Sequence, residues 1–194
     1  MLLLRLQVGA PELKEDEMRA KVLWAFSIII VGAALLHVGT LSATPQSGFT
    51  ASTIAMGRFG PIDVDNQTFL PDGSPFETHP GNNLWLSMQR TKGPSDLYVQ
   101  NNIWVPGGTS GWHTHPGHSL IIVTAGTITA YDGDDPTCTP HQYSAGQGFV
   151  DAGGDHVHVL RNEGAVEART VAVQLIPAGA TRRIDAPASA YCPF

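Results

Sequence analysis

The chain has 194 residues, 11 basic against 17 acidic, a formal charge of −6 and only 14% charged side chains, against about 25% in ordinary globular domains. That length suits one domain behind a leader. An acidic chain without a basic cluster has nothing to replace counterions along a phosphate backbone, which excludes nucleic acid as a partner.

In chain order, the first element is the 17-residue apolar run 22–38, which holds no charged side chain apart from a neutral His37. Arg19 and Lys21 precede it and the small residues 39–43 follow it. That order is the one expected of a secretory signal cleaved near Ser42 or Ala43. The run also reaches the lower limit for spanning a bilayer, so an uncleaved anchor is the competing reading, and a buried core helix a third. Residues 1–43 are therefore assigned as a leader. Glu12, Glu15, Asp16 and Glu17 make its front end acidic where a signal should be basic, which points to Met18 as the start. The expected location is secreted, periplasmic or extracellular, with membrane contact only through this segment if it stays uncleaved.

Residues 44–81 are rich in Thr, Ser, Gly, Pro and Asn without a sustained period, and read as an extended arm with a few short strands. From 82 to 194 short apolar runs alternate with turn signals: 84–89, 97–105, 119–124, 127–131, 148–150, 156–160 and 170–176. Val, Ile, Thr and Tyr dominate these runs, which is strand chemistry, and the 21 glycines and 14 prolines of the chain supply the turns. Many short strands at such intervals predict an all-β sandwich or barrel.

Only two cysteines occur, Cys138 and Cys192. In an oxidising compartment they read most simply as one disulfide pinning the C-terminal tail to a mid-domain loop. The alternatives are a metal pair of Cys138 with His141, three residues apart, and two free thiols.

His113, His115, His118, His156 and His158 crowd the second half of the chain. Side chains at i and i+2 of a strand share a face, so His113 and His115 converge, and His156 with His158 do likewise. Two such pairs on neighbouring strands place three or four imidazoles around one point, which a divalent transition metal explains economically: iron, manganese, zinc, nickel or copper. His37, His79 and His141 stand alone and read as structural.

These residues carry a resemblance. Gly107, five residues, His113-Thr114-His115, three residues, Ser119, six residues and Gly126 resemble the first motif of the cupin superfamily, type 2 in particular. The departure is Ser119, where cupins usually carry glutamate. Gly146, five residues, Ala152-Gly153-Gly154, three residues, His158, three residues and Asn162 resemble the second motif, with alanine for its proline and one extra residue before His158. The resemblance spans about 95–177 and implies a small antiparallel jelly-roll barrel, with His113, His115 and His158 as metal ligands. His156 is the rival third ligand. His118 and Ser119 are additional ligand or substrate contacts to consider, and jelly rolls of this kind often pair as homodimers.

Three neutral imidazoles leave a divalent ion its full charge, and no acidic residue lies near the His-x-His pair in sequence. Such a site favours a small anionic or diol molecule and keeps positions open for it. Trp104, Trp112, Tyr98, Gln174, Arg90 and Arg161 are candidate pocket residues. Three roles follow: a dioxygenase-like or other Lewis-acid enzyme on a small molecule, a non-catalytic module binding a small ligand or metal, or a cupin that has lost its metal.

Overall fold

A strand needs only a backbone ladder and one face to bury, and the computed structural model describes twelve strands within residues 42–70, 84–192 and 194. They are β1 Ser47–Phe59, β2 Asp63–Phe69, β3 Leu84–Arg90, β4 Ser95–Thr109, β5 His113–Thr114 and β6 Ser119–Ala125. The chain continues through β7 Thr127–Asp132, β8 His141–Ser144, β9 Gly148–Asp151, β10 His158–Arg161, β11 Ala168–Pro177 and β12 Ile184–Asp185. The leader, with its run 22–38 and the start expected at Met18, lies outside the described residues, as do His37 and His79.

Every pairing is antiparallel, and no helix occurs among the described residues. Ten strands form one sheet ordered β12-β5-β10-β4-β11-β6-β9, with β1 beside β4 and β7 joining β10 to β8. This is the nearly closed antiparallel barrel expected of a jelly roll. β2 and β3 make a separate two-stranded sheet. Within the stretch expected as an arm, β1 runs for 13 residues along β4, from Ser47 opposite Thr109 to Phe59 opposite Ser95. Its side chains are almost all exposed. Backbone hydrogen bonds rather than a buried face hold it, so the sequence needed no apolar alternation there.

Alternation along β10 divides the core in two. Leu160 joins Trp104, Ile121, Val123 and Ile128 in one cluster, while its neighbour Val159 packs with Trp112, Tyr131, Ala186 and Cys192 in another. β7 repeats the division, sending Ile128 to the first and Tyr131 to the second. His158 has the parity of Leu160 and so faces the first cluster's side.

The second cluster is closed by the tail. Cys138 and Cys192 form the expected disulfide, with Cα atoms 5.4 Å apart, which removes both the Cys138–His141 metal pair and the free thiols. The Trp112 indole N–H donates to the Phe194 carbonyl at 3.2 Å, and the Arg161 guanidinium lies 4.4 Å over the Phe194 ring. A disulfide suits an oxidising, extracellular-type environment. No helix among the described residues is long and apolar enough to cross a membrane.

Candidate metal centre

β5 is only two residues long, and both its neighbours hold it in place. His113 is the register partner of His158 on β10 and of Asp185 on β12. Cross-strand partners share a face, so His113 and His158 meet directly, their ring centroids 4.4 Å apart. His115 follows the strand and completes the group at 4.8 Å from His113 and 5.6 Å from His158. One ring nitrogen from each of the three lies within 4.8 Å of the other two.

The loop carrying His115 is locked by close backbone approach. Gly154 N–H donates to the His115 carbonyl at 2.7 Å, and the Thr114 hydroxyl donates to the Gly154 carbonyl at 2.6 Å. Gly153 has φ +66°, and a Cβ there would strike the Gly117 carbonyl oxygen. Only glycine fits both demands.

Hydrogen bonding fixes two of the ring tautomers. The Nδ1 of His113 meets the Gly111 carbonyl at 2.8 Å and that of His115 meets the Arg182 carbonyl. A carbonyl only accepts, so each Nδ1 carries the proton and each Nε2 keeps its lone pair. Burial also holds the rings neutral: His113 is 5% and His158 4% exposed. Loss of water disfavours the imidazolium and pushes His113 far below the usual histidine range, and the nearness of His158 and of the Arg183 guanidinium opposes a second charge there. The same desolvation lowers His115 and takes His158 down to about 4. Neutral imidazoles with free lone pairs, converging from two separate stretches, suit a divalent transition ion.

These rings border a cavity of about 320 Å³ that Trp104, Gln174, Ser119, Arg182 and Arg183 also line. Arg182 is braced in three directions: its Nε donates to Gln174 Oε1 at 3.1 Å, its Nη1 to Thr53 Oγ1 at 3.0 Å, and its guanidinium lies 4.4 Å over the Tyr98 ring. Arg183 Nη2 donates to the Ser110 carbonyl at 2.7 Å. Both arginines stand beyond the stretch that resembles the family motifs, and the adjacent Arg-Arg pair was their only signal.

The other expected residues separate. His156 precedes β10 rather than lying on it, yet its ring still comes beside that of His158 as expected. Its ring stacks 5.9 Å from His158 and its Nε2 lies 3.3 Å from Asp132 Oδ1, in a neighbouring cavity of about 250 Å³. It nevertheless forms a second compact donor set with Asp151 and His158. His118 lines a different cavity, with Arg90, Lys92 and Pro177. Trp112 is sealed in the tail cluster, Arg90 pairs with Asp63 on the surface, and Arg161 faces Glu163.

The absence of an acid near the His-x-His pair is overturned. β9 runs beside β6 and brings Asp151 opposite Ser119. Its Oδ2 stands 3.5 Å from His115 Nε2 and its Oδ1 3.5 Å from His158 Nδ1. Asp151 occupies an unspecified position of the second motif, and only the strand register reveals it.

The type-2 cupin family model, described as "Cupin domain", matches residues 103–174. No curated protein matches the chain. Among solved structures, one reported under the mechanism of oxalate oxidase is similar at 22% identity and TM-score 0.36, over 42% of this chain and 46% of that one. A cupin superfamily protein from Desulfitobacterium hafniense DCB-2 is similar at 11% identity and TM-score 0.37, over 42% of this chain and 68% of that one. The polyketide cyclase RemF from Streptomyces resistomycificus is similar at 16% identity and TM-score 0.40, over 49% and 65%. The chain thus spans about half the length of the first of these structures.

Proposed function

We propose that the protein, whose residues 103–174 match the model of a cupin domain, holds one divalent transition ion through His113, His115 and His158 and uses it to bind and activate a small anionic molecule. The observation that carries this reading is the convergence of three neutral imidazoles, two of them buried and the third half-buried, on a cavity that two arginines also line. A cavity of about 320 Å³ lies at the small end of ligand pockets, which argues for a compact molecule rather than a polymer or peptide.

When bound, such an ion supplies Lewis acidity toward an oxygen donor, and redox chemistry if the metal is redox-active. The chain's own residues do the rest. The Gly111 and Arg182 carbonyls hold the His113 and His115 tautomers, keeping their Nε2 lone pairs available. Arg182 is held by Gln174, Thr53 and the Tyr98 ring, and Arg183 by Ser110. The Arg182 guanidinium, whose partners are all neutral, favours a carboxylate over a neutral diol, while Arg183 is already paired with Asp185. Trp104, Phe49 and Ile121 supply the apolar wall that keeps water from competing.

The disulfide supports export, for which the run 22–38 is the proposed signal. Thermal-shift titration of the metal-loaded protein with small mono- and dicarboxylates, neutral diols and amines tests the ligand class. Stabilisation by carboxylates that weakens at least about tenfold in Arg182→Met is the expected result. Equal response to amines, or none to any carboxylate, would overturn it. Oxygen uptake across iron, manganese, nickel and copper forms then separates an enzyme from a binder.

A further inference from the structure

We propose that Asp151 supplies the carboxylate ligand that the first motif lacks at Ser119. The inference rests on the metal reading above and deepens it. Ser119 and Asp151 are register partners across β6 and β9, and partners in an antiparallel pair project from the same face with Cβ atoms about 5 Å apart. A carboxylate moved from residue 119 to its cross-strand partner therefore still reaches the same point.

The distances agree with a shared coordination sphere. Asp151 Oδ2 lies 3.5 Å from His115 Nε2, the nitrogen whose lone pair is free. Two ligands with bonds of about 2.1 Å at tetrahedral angles stand ~3.4 Å apart. Oδ1 lies 3.5 Å from His158 Nδ1, which is buried with no hydrogen-bond partner. The carboxylate is anchored by the Gly153 N–H, which donates to Oδ1 at 2.9 Å, and by the Ser119 hydroxyl, which donates to Oδ2 at 3.3 Å.

Charge supplies the remaining argument. The Asp151 side chain is 2% exposed, and among the described residues no lysine or arginine lies within ion-pair distance of it. A buried carboxylate without a compensating cation is costly. An ion held between Oδ2 and the imidazole nitrogens compensates it, and the carboxylate lowers the ion's net charge from +2 to +1. Ser119 then acts as the hydrogen-bond donor that orients the carboxylate, which explains why a hydroxyl occupies the place where glutamate would otherwise stand.

The test is a chelator-competition titration of Zn²⁺ and Mn²⁺ into the wild-type protein, Asp151→Asn, Ser119→Glu and the double variant, with the Mn²⁺ electron paramagnetic resonance spectrum as a second readout. Asp151→Asn should weaken affinity about 10- to 100-fold and change the spectrum, and adding Ser119→Glu should restore affinity to within about threefold of wild type. Ser119→Glu alone should tighten binding by less than about threefold, since the carboxylate position is already filled. Wild-type affinity in Asp151→Asn would overturn this inference while leaving the three-histidine reading intact. So would a loss that Ser119→Glu fails to restore, which would make Asp151 a positioning residue, or a tenfold gain in Ser119→Glu alone. Wild-type protein that takes up neither metal would overturn both.

Discussion

Two groups of histidines lie side by side in this barrel, and they differ in exposure and in what their ring nitrogens meet. His113 and His158 are buried and the His115 side chain is 15% exposed, and His113 and His115 each lock a ring nitrogen to a backbone carbonyl. His141 and His156 are 47% and 32% exposed at the side chain and share the Asp132 carboxylate, 3.8 and 3.3 Å away. The first arrangement disfavours the imidazolium and aims a lone pair; the second leaves room for water beside a surface carboxylate. Residue type is the same in both. Burial and the partner of the second nitrogen make the difference.

The comparison breaks most directly by substitution. His113→Ala should weaken metal binding about a thousandfold, or ~4 kcal/mol, since a structural site of three or four ligands is worth roughly 10–16 kcal/mol in all. His141→Ala should stay within about threefold of wild type. Equal losses in a chelator-competition assay would mean that the two groups do not differ as described.

Next in size is the disulfide, which tests whether the centre depends on the far side of β10. Breaking Cys138–Cys192 with a double serine variant frees a tail closed over 54 residues of sequence and should cost about 3 kcal/mol of stability. Denaturant melts should show that loss while metal stoichiometry is unchanged, because Val159 and Leu160 send the two functions to opposite faces. Gly153→Ala should have a smaller thermodynamic effect, about 1–3 kcal/mol, yet act on the centre itself by displacing the loop of His115. Metal affinity should fall about tenfold with little change in the far-ultraviolet spectrum.

The smallest effect lies remote from the histidines. Arg58 Nε and Nη2 donate to the two Asp96 carboxylate oxygens at 2.7 and 2.8 Å, and Gly179 N–H adds a third bond at 2.8 Å. The Arg58 hydrogen bonds, followed by that of Gly179, hold the Asp96 carboxyl down at about 2. A depressed acid stabilises the fold above its ordinary pKa near 4 and loses that contribution as pH falls through the folded value near 2. The melting temperature of Asp96→Asn should therefore lie below wild type at pH 6, with the gap closing between about pH 4 and 2. A constant gap would contradict the assignment.

The barrel was legible because the strand runs, their turn signals and the His-x-His spacing are local patterns. The convergence of His113, His115 and His158 was legible for the same reason, and so was the disulfide, with only two cysteines to pair. β1 was hidden because it buries almost nothing and its ladder leaves no apolar period. Asp151 was hidden because its role comes from lying opposite Ser119 across two strands, a register that neither strand's sequence states. Arg182 and Arg183 were hidden beyond the family motifs, and the approach of His156 to His158 was legible although His156 stands before the strand rather than on it.

The central claim is that three imidazoles from two stretches of chain hold one metal ion. Elemental analysis of the protein purified from its native compartment, alongside His113→Ala prepared identically, tests it most directly. The account predicts about one equivalent of a divalent transition metal in the wild type and almost none in the variant. Wild-type protein with less than about 0.1 equivalents, or equal content in the two proteins, would contradict it.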